Sequence, residues 1–177
     1  MLCKHICRLL CLILLLPLFS GCGTVNDSLS PEEITLQLTN YIEKTDIYIP
    51  CSERYLSASF QMSLPLPEHA CVRDPDHTID ELGVFACQNN AEAVALKNSL
   101  NAGLERRRKD FDDRYFSEEK LKLDSASAVS RGRYVLYTVL TPETQSLVTK
   151  QFYDILKGNS LSNGTQIRHQ GQTNADG

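Results

Sequence analysis

Several features that define particular protein classes are scarce in or missing from this chain of 177 residues. Its 9 Gly and 7 Pro are too few for a fibrous or low-complexity chain, and its 42% hydrophobic and 23% charged residues are too balanced for intrinsic disorder. A basic excess is also missing: the net charge is -4 and the pI ≈ 5.6, which argues against a nucleic-acid-binding protein with a basic surface. The length fits one ordinary domain.

Sequence motifs of the common enzyme classes are missing as well. No serine stands in a nucleophile-elbow setting, and there is neither a phosphate-binding loop nor a dinucleotide fingerprint. Gly132 and Gly158 are isolated glycines of the kind found in turns. We therefore expect a protein that is not an enzyme and that carries no cofactor and no metal ion.

The N-terminus has an apolar run, but a short one. Leu9–Phe19 contains 11 residues and would rise about 16 Å as a helix, roughly half of the hydrocarbon thickness of a bilayer. Basic residues precede the run, and the small residues Ser20 and Gly21 follow it. This order is typical of a cleaved secretory signal, and we predict that residues 1–21 are a signal peptide.

The residues at the predicted cleavage point are more specific. Leu18–Cys22 (LFSGC) resembles a bacterial lipobox, in which the Cys receives a diacylglycerol and becomes the mature N-terminus. Phe19 departs from the aliphatic residue that is usual at its position. An ordinary secretory signal with a chance Cys and an uncleaved anchor are the alternatives. We predict lipidation of Cys22, which would place the protein on the extracytoplasmic face of the cell membrane, because two or more acyl chains provide stable anchoring.

Removal of the signal makes the remaining chain more acidic. Residues 1–21 contain two basic and no acidic residues, so 16 Lys and Arg remain against 22 Asp and Glu, a net charge of 16 - 22 = -6. Such a chain is repelled by anionic lipid, so the lipid on Cys22 is the expected membrane attachment. Residues 22–29 are predicted to be a tether, residues 30–157 the domain, and residues 158–177 a disordered polar tail.

Hydrophobic periodicity predicts an α+β domain with the element order α-β-β-α-β-β-α. We expect two layers: a four-stranded, mostly antiparallel sheet with helices mainly on one face. Each predicted pair of consecutive strands forms a hairpin, the first with a long irregular connection over residues 68–80 and the second with a turn at Gly132. The predicted helices are residues 30–44, 89–114 and 141–157, and the predicted strands are residues 57–64, 81–87, 122–129 and 133–140.

This pattern resembles the bacterial lipoprotein family known as domain of unknown function 4358, from Gram-positive, Firmicute-type bacteria. The similarity covers about residues 30–157, and the chain departs from the family pattern at residues 63–78. The family has no established activity, so the resemblance implies a fold and a location and no catalytic residues. The positions that carry the resemblance are Asp80–Phe85 before a long helix, Phe111, Tyr115, Gly132–Val135 and the helix from Thr141 onward.

Four residues in or beside the irregular segment have the chemistry of zinc ligands: Cys51, His69, Cys71 and His77. Their spacing is poor for a structural zinc site, which usually offers a close Cys pair. A disulfide between Cys51 and Cys71 is the stronger prediction, because export exposes thiols to an oxidising environment. Cys87 would then remain as a free, buried thiol at a strand end.

The charged clusters of the chain have ordinary explanations. The basic run Arg106–Lys109 complements the helix dipole near a C-terminus, with Asp110, Asp112 and Asp113 close by, although an anion or phospholipid headgroup site is the alternative. The acidic pairs, by contrast, are not part of an Asp-rich calcium loop. These pairs are Asp74 with Asp76, Asp112 with Asp113, and Glu118 with Glu119.

Two classes of function fit these features. The first is a non-catalytic binding or accessory domain, anchored to the membrane by lipid, with an envelope protein or a small ligand as its partner and no nucleic acid. The second is an envelope enzyme, or a metal- or anion-binding protein, with a site near residues 64–80.

Overall fold

The computed structural model describes residues 25–42, 48–75, 78–111 and 117–158, which form an α+β domain. Among these residues, no helix has the length and the apolar character needed to cross a bilayer. The elements in chain order are α1 (Pro31–Thr39), β1 (Ile49–Pro50), α2 (Glu53–Phe60), β2 (Glu68–Arg73), β3 (Glu81–Ala86), α3 (Asn90–Asp110), α4 (Ser117–Ser125), β4 (Ser127–Arg131), β5 (Tyr134–Val139) and α5 (Pro142–Leu156).

The sheet is antiparallel and has five strands in the order β1-β2-β3-β5-β4, so the prediction of four strands is wrong by one. The strands β3 and β5 pair at its centre, with Val84 opposite Leu136. The additional strand β1 contains only two residues, which lie opposite Val72 and Arg73 of β2. Such a short edge strand carries almost no hydrophobic alternation, which explains why the sequence did not reveal it.

Helices cover both faces of this sheet, so the expected two-layer arrangement is wrong. The helices α2, α3 and α4 pack on one face, and α1 and α5 pack on the other. Every residue of β3 and β5 is buried, as expected for strands that are covered on both sides. The first core includes Phe60, Phe85, Leu100, Leu104 and Tyr137; the second includes Ile34, Leu38, Leu136, Val148 and Phe152.

The predicted helix starts are confirmed. Ser30 and Glu33 form a capping box, in which the Glu33 N–H donates to the Ser30 hydroxyl at 3.2 Å and the Ser30 N–H donates to the Glu33 carboxylate at 2.8 Å. Asn89 caps α3 and Thr141 caps α5. Two ends differ from the prediction: α1 stops at Thr39, and α3 stops at Asp110.

The predicted strand at residues 57–64 is wrong, because most of that segment belongs to helix α2. Ser52 caps this helix, and Leu56 and Phe60 bury one side of it at a spacing of four residues. It ends at Gln61, whose φ of 53° is in the left-handed region. The strand that pairs with β3 is instead β2, within the segment predicted to be irregular.

The second predicted hairpin is confirmed with a shifted first strand. Residues Ser117–Ser125 form helix α4, and β4 begins only at Ser127. The turn between β4 and β5 contains Gly132 at φ 55°, a conformation that favours glycine.

The segment Val25–Leu29, predicted to be part of a tether, contacts the domain. The Asn26 N–H donates to the Leu156 carbonyl at 2.8 Å, and the Tyr134 hydroxyl donates to the Leu29 carbonyl at 2.6 Å. The Val25 side chain lies beside Gly132. The fold therefore starts before the predicted boundary at residue 30. The predicted signal peptide, Cys22 and the predicted tail from residue 159 onward lie outside the described residues.

Candidate functional site

A cavity of about 370 Å³ lies between α1 and the outer edge of β2, and we call it the side cavity. It exists because β1 is too short to cover β2 beyond Val72, so no described strand lies beside the first part of β2. The cavity wall is mostly apolar. Its lining residues include Glu32, Thr35, Leu36, Cys51, His69, Cys71 and Val72.

Leu36 gives the side cavity an exposed apolar rim. This side chain is 70% exposed, whereas Ile34 and Leu38 of the same helix are fully buried against the sheet. An exposed leucine beside a concave apolar surface is unfavourable in water, and covering it would remove apolar area from solvent. The rim is therefore a surface on which an apolar group would be stabilised.

His69 is held in place at the wall of this cavity. Its Nδ1 lies 2.8 Å from the Pro67 carbonyl oxygen, and its ring stacks on Phe85 with ring centroids 5.5 Å apart. Because a carbonyl oxygen only accepts hydrogen bonds, Nδ1 carries the proton, and in the neutral ring Nε2 is an acceptor. Thr35 is also fixed, since its hydroxyl donates to the Ala70 carbonyl at 3.1 Å.

Cys51 and Cys71, the predicted disulfide partners, lie side by side at the inner wall of the cavity. The Cys51 N–H donates to the Cys71 carbonyl at 2.8 Å. Both are free, buried thiols, so the expected disulfide is not formed in the structure. Cys51 directly follows β1, and its hydrogen bond continues the antiparallel pairing with β2. Such pairing holds Cα atoms at separations that a disulfide can span, so the bond remains a prediction for oxidising conditions.

Both thiols are held in the protonated form. Burial, followed by the charge of Glu81, raises the pKa of Cys51 to about 12. The pKa of Cys71 is raised well above its ordinary value, first by burial and then by Cys51. Because the thiolate is the form that attacks substrates and binds metals, these cysteines act at neutral pH as small apolar groups.

The structure does not test all of the other residues considered as metal ligands. His77, Asp76, Asp112 and Asp113 lie outside the described residues. Within the ranges that the structure does describe, no group of three or more His, Cys, Asp or Glu side chains could hold a metal ion. Cys87, a buried free thiol directly after β3, agrees with its predicted role.

The arginines of the basic run, for which an anion site was the alternative interpretation, make contacts within the fold. Arg106 donates to the Phe60 carbonyl at 3.0 Å, and Arg108 donates to the Leu123 carbonyl at 2.9 Å. Arg107 forms an ion pair with Glu81. Lys109, at the end of the run, is 71% exposed. The acidic partners of this run include Glu81, Glu105 and Asp124, which were not the residues expected from sequence.

A second site, which we call the end cleft, lies where β2 ends and β3 begins. It consists of two cavities of about 350 and 200 Å³ that share Asp74, Thr78 and Asp80. Lys122 joins its wall, with Nζ 2.6 Å from Asp80 Oδ1 and 3.0 Å from Glu119 Oε1. Burial alone would lower the pKa of Lys122, but the hydrogen bonds and charges of the two carboxylates outweigh it and raise the pKa.

At the base of the end cleft, Glu81 is buried with only 1% of the residue exposed. Arg107 Nη1 lies 2.5 Å from the Glu81 carboxylate, and the Tyr55 hydroxyl donates to the same carboxylate. Burial disfavours the charge of Arg107, but Glu81 and its neighbours outweigh this effect and raise the pKa of Arg107. The charges of the end cleft are thus satisfied by one another, and a ligand would have to compete with existing ion pairs.

The sequence did not predict the end cleft as a site, although Asp74, Arg107 and Glu119 belong to charged clusters that were considered singly. One signal was available: Glu81 is the first residue of an otherwise apolar strand. An acidic residue in a buried strand requires a cationic partner. The partner itself could not be identified, because Arg107 follows Glu81 by 26 positions and belongs to a run of four basic residues.

Comparisons with protein-family models, with curated proteins and with solved structures find no match for this chain.

Proposed function

We propose that this chain is a lipoprotein, anchored through lipidated Cys22 outside the cytoplasmic membrane, whose domain binds a small apolar or amphipathic molecule in the side cavity. The observation that carries the binding proposal is the apolar side cavity with its exposed rim residue Leu36. A concave apolar surface with a few fixed polar groups is the usual form of a small-molecule site, and Thr35 and His69 are such groups here.

The energetic comparison of the two sites favours the side cavity. A ligand there gains the removal of apolar surface from water, at about 25 cal/mol per Å². In the end cleft, a ligand has to displace contacts such as the Lys122–Asp80 ion pair before it gains its own. For the same ligand size, the side cavity therefore provides the larger net driving force.

The anchor is supported by sequence. Leu18–Cys22 resembles a lipobox, and the net negative charge of the chain that follows it disfavours membrane attachment through a basic surface. The same proposal includes membership of the family known as domain of unknown function 4358. In its support, residues that carry the resemblance lie on β3, in the β4–β5 turn and on α5. Mass spectrometry of the N-terminal peptide of the membrane-extracted protein tests the anchor. An acylated Cys22 supports it, and an unmodified mature terminus contradicts it.

Ligand binding can be tested with an apolar fluorophore such as anilinonaphthalene sulfonate, whose emission increases in apolar sites. We expect Leu36→Asp to remove most of this increase by placing a charge at the cavity rim. The matched control is Leu121→Asp, since Leu121 is 61% exposed on a different helix. Equal emission from the two variants would show that the fluorophore binds elsewhere. Native mass spectrometry of the protein released from membranes would then identify the natural ligand.

The second candidate function is an envelope enzyme or a metal-binding protein that uses the same cavity. The observation in its favour is that Cys51, His69 and Cys71, selected from sequence for their chemistry, all line the side cavity. The raised pKa values of the two thiols favour the binding function. Replacing His69, Cys71 and His77 together by Ala distinguishes the two functions. Loss of cellular activity with fluorophore binding kept in part supports the enzyme, and unchanged cellular activity supports the binding protein.

A further inference from the structure

The N-terminal segment is attached at one end of the sheet. Val25 lies beside Gly132 in the β4–β5 turn, and the Asn26 N–H donates to the last carbonyl of α5, that of Leu156. Arg133 of the same turn also donates to the Asp27 carbonyl at 3.4 Å. We call this end the turn end.

The turn end contains other loops as well. The strand β3 ends there at Ala86, which lies opposite Tyr134 directly after the turn. The strand β2 begins there at Glu68, which lies opposite Ala86. A cavity between the adjoining loops is lined by Pro65, Gln88 and Arg133, which confirms that these loops are neighbours. The end cleft lies at the opposite end, where β2 finishes at Arg73 and β3 starts at Glu81.

Chain length limits how far the turn end can be from Cys22. Only Gly23 and Thr24 separate Cys22 from Val25, and three peptide units span at most about 11 Å. Each central strand has six residues, so the two ends of the sheet are separated by about 17 Å along β5 alone. The Cys22 backbone can therefore lie beside the turn end, and it cannot lie beside the end cleft.

We propose that the turn end faces the bilayer into which Cys22 is anchored and that the end cleft faces away from it. This orientation rests on the proposed lipid anchor and adds a defined membrane-facing surface. The surface fits the partner in two ways. First, Leu64, beside Pro65, is 56% exposed and can enter the interfacial region of the bilayer. Second, the charges at this end are mixed, so the surface has no strong net charge that would repel lipid headgroups. The basic residues are Arg131, Arg133 and Lys157, and the acidic residues are Glu68 and Asp154.

The orientation can be measured by energy transfer from the protein to acceptor dyes on lipid headgroups. The full chain, with Cys22 acylated, is reconstituted in phosphatidylcholine–phosphatidylglycerol vesicles and carries one donor dye. The donor is attached through Gln88→Cys at the turn end or Glu143→Cys at the start of α5, both of which are exposed positions. Cys51, Cys71 and Cys87 are buried and react slowly with the dye. We expect the donor at position 88 to lose most of its emission and the donor at position 143 to lose little.

A variant with a flexible insertion of about ten Gly and Ser residues between Gly23 and Thr24 provides the control. The insertion adds a root-mean-square reach of about 17 Å, so it should make the losses at the two positions similar. Equal losses without the insertion, or a larger loss at position 143, would overturn the orientation. A larger loss at position 88 that persists with the insertion would still support the orientation, with the turn-end surface rather than the short connection as its cause.

Mass spectrometry of the reconstituted protein separates this proposal from the proposed function. If Cys22 carries no lipid, the anchor fails and the orientation fails with it. If Cys22 is acylated and the two donors lose emission equally, the anchor stands and only the orientation is wrong.

Discussion

Glu81 shows how one residue can be essential to this fold without having been recognised from sequence as a site. Its side chain is buried with the guanidinium of Arg107, whose side chain is 22% exposed. We expect Glu81→Gln to destabilise the protein by about 2–3 kcal/mol, because the substitution leaves Arg107 partly buried without a counter-charge. Urea denaturation followed by circular dichroism measures this change in the free energy of unfolding.

The matched control for this prediction is Glu105→Gln. Glu105 also pairs with an arginine of the same helix, Arg108, but its side chain is 49% exposed. An exposed ion pair contributes at most about 1 kcal/mol, so the control should lose much less stability than Glu81→Gln. Losses of the same size in the two variants would contradict the structural role assigned to Glu81.

Gly83 is a second residue whose identity is dictated by its neighbours. A Cβ atom at this position would overlap the Tyr137 ring and the Cys71 sulfur. We expect Gly83→Ala to cost about 1–3 kcal/mol through overpacking, measured by the same denaturation experiment. Adding Cys71→Ala should recover part of the loss, since it removes the sulfur. If the two substitutions were simply additive, the close approach would not be the cause.

At the scale of elements, the sequence predicted those that begin with a strong local signal. Ser30 before Pro31, Asn89, and Thr141 before Pro142 each mark a helix start, and each is confirmed because capping is a local interaction. The buried strand β3 and the β4–β5 turn at Gly132 are also confirmed, because an apolar run and a turn glycine are likewise signals within a few neighbouring residues.

The failures at this scale have a common physical origin. Residues 57–64 alternate between apolar and polar like a strand, but the contacts of Leu56 and Phe60 with the core are made at helical spacing. The strand β2 receives its stability from pairing with β3 rather than from its own composition. The side cavity depends on β2 and on the shortness of β1, so its position could not be predicted, although Cys51, His69 and Cys71 were correctly grouped as neighbours.

The end of helix α2 provides a test of this assignment. Gln61 adopts φ 53°, a conformation that is unfavourable for residues with a Cβ and favourable for glycine. We expect Gln61→Gly to raise the free energy of unfolding by about 1 kcal/mol, as measured by urea denaturation. A strand at residues 57–64 predicts the opposite, because glycine weakens a strand interior.

At the scale of the whole molecule, the thiol and phenol groups in the interior make the free energy of unfolding depend on pH in the alkaline range. The pKa of Cys51 is raised from 9.0 to about 12 and that of Tyr55 from 10.0 to about 12, in both cases first by burial and then by the charge of Glu81. The folded protein retains these protons at a pH where the unfolded chain releases them. Their contribution is therefore complete below about pH 9 and is lost as the pH rises towards 12.

We accordingly expect the urea midpoint to fall steadily as the pH is raised from about 9. Tyr55→Phe should make this decrease shallower, because it removes one of the groups that titrate. The Tyr41→Phe variant is the control, since Tyr41 is partly buried like Tyr55 but packs against the core on the opposite face of the sheet. A midpoint that is independent of pH in this range would show that the thiols and phenols are not buried as described.

The central pairing of β3 with β5 has a kinetic consequence. The β2–β3 and β4–β5 pairs are each close in sequence, whereas β3 and β5 are separated by the long helix α3 and by α4. Closing this long connection costs more chain entropy than forming either local pair, so we expect the two hairpins to form early and to join in the rate-limiting step. Val84→Ala, at the junction, should then slow refolding in a stopped-flow experiment, whereas Val148→Ala on α5 should mainly speed unfolding.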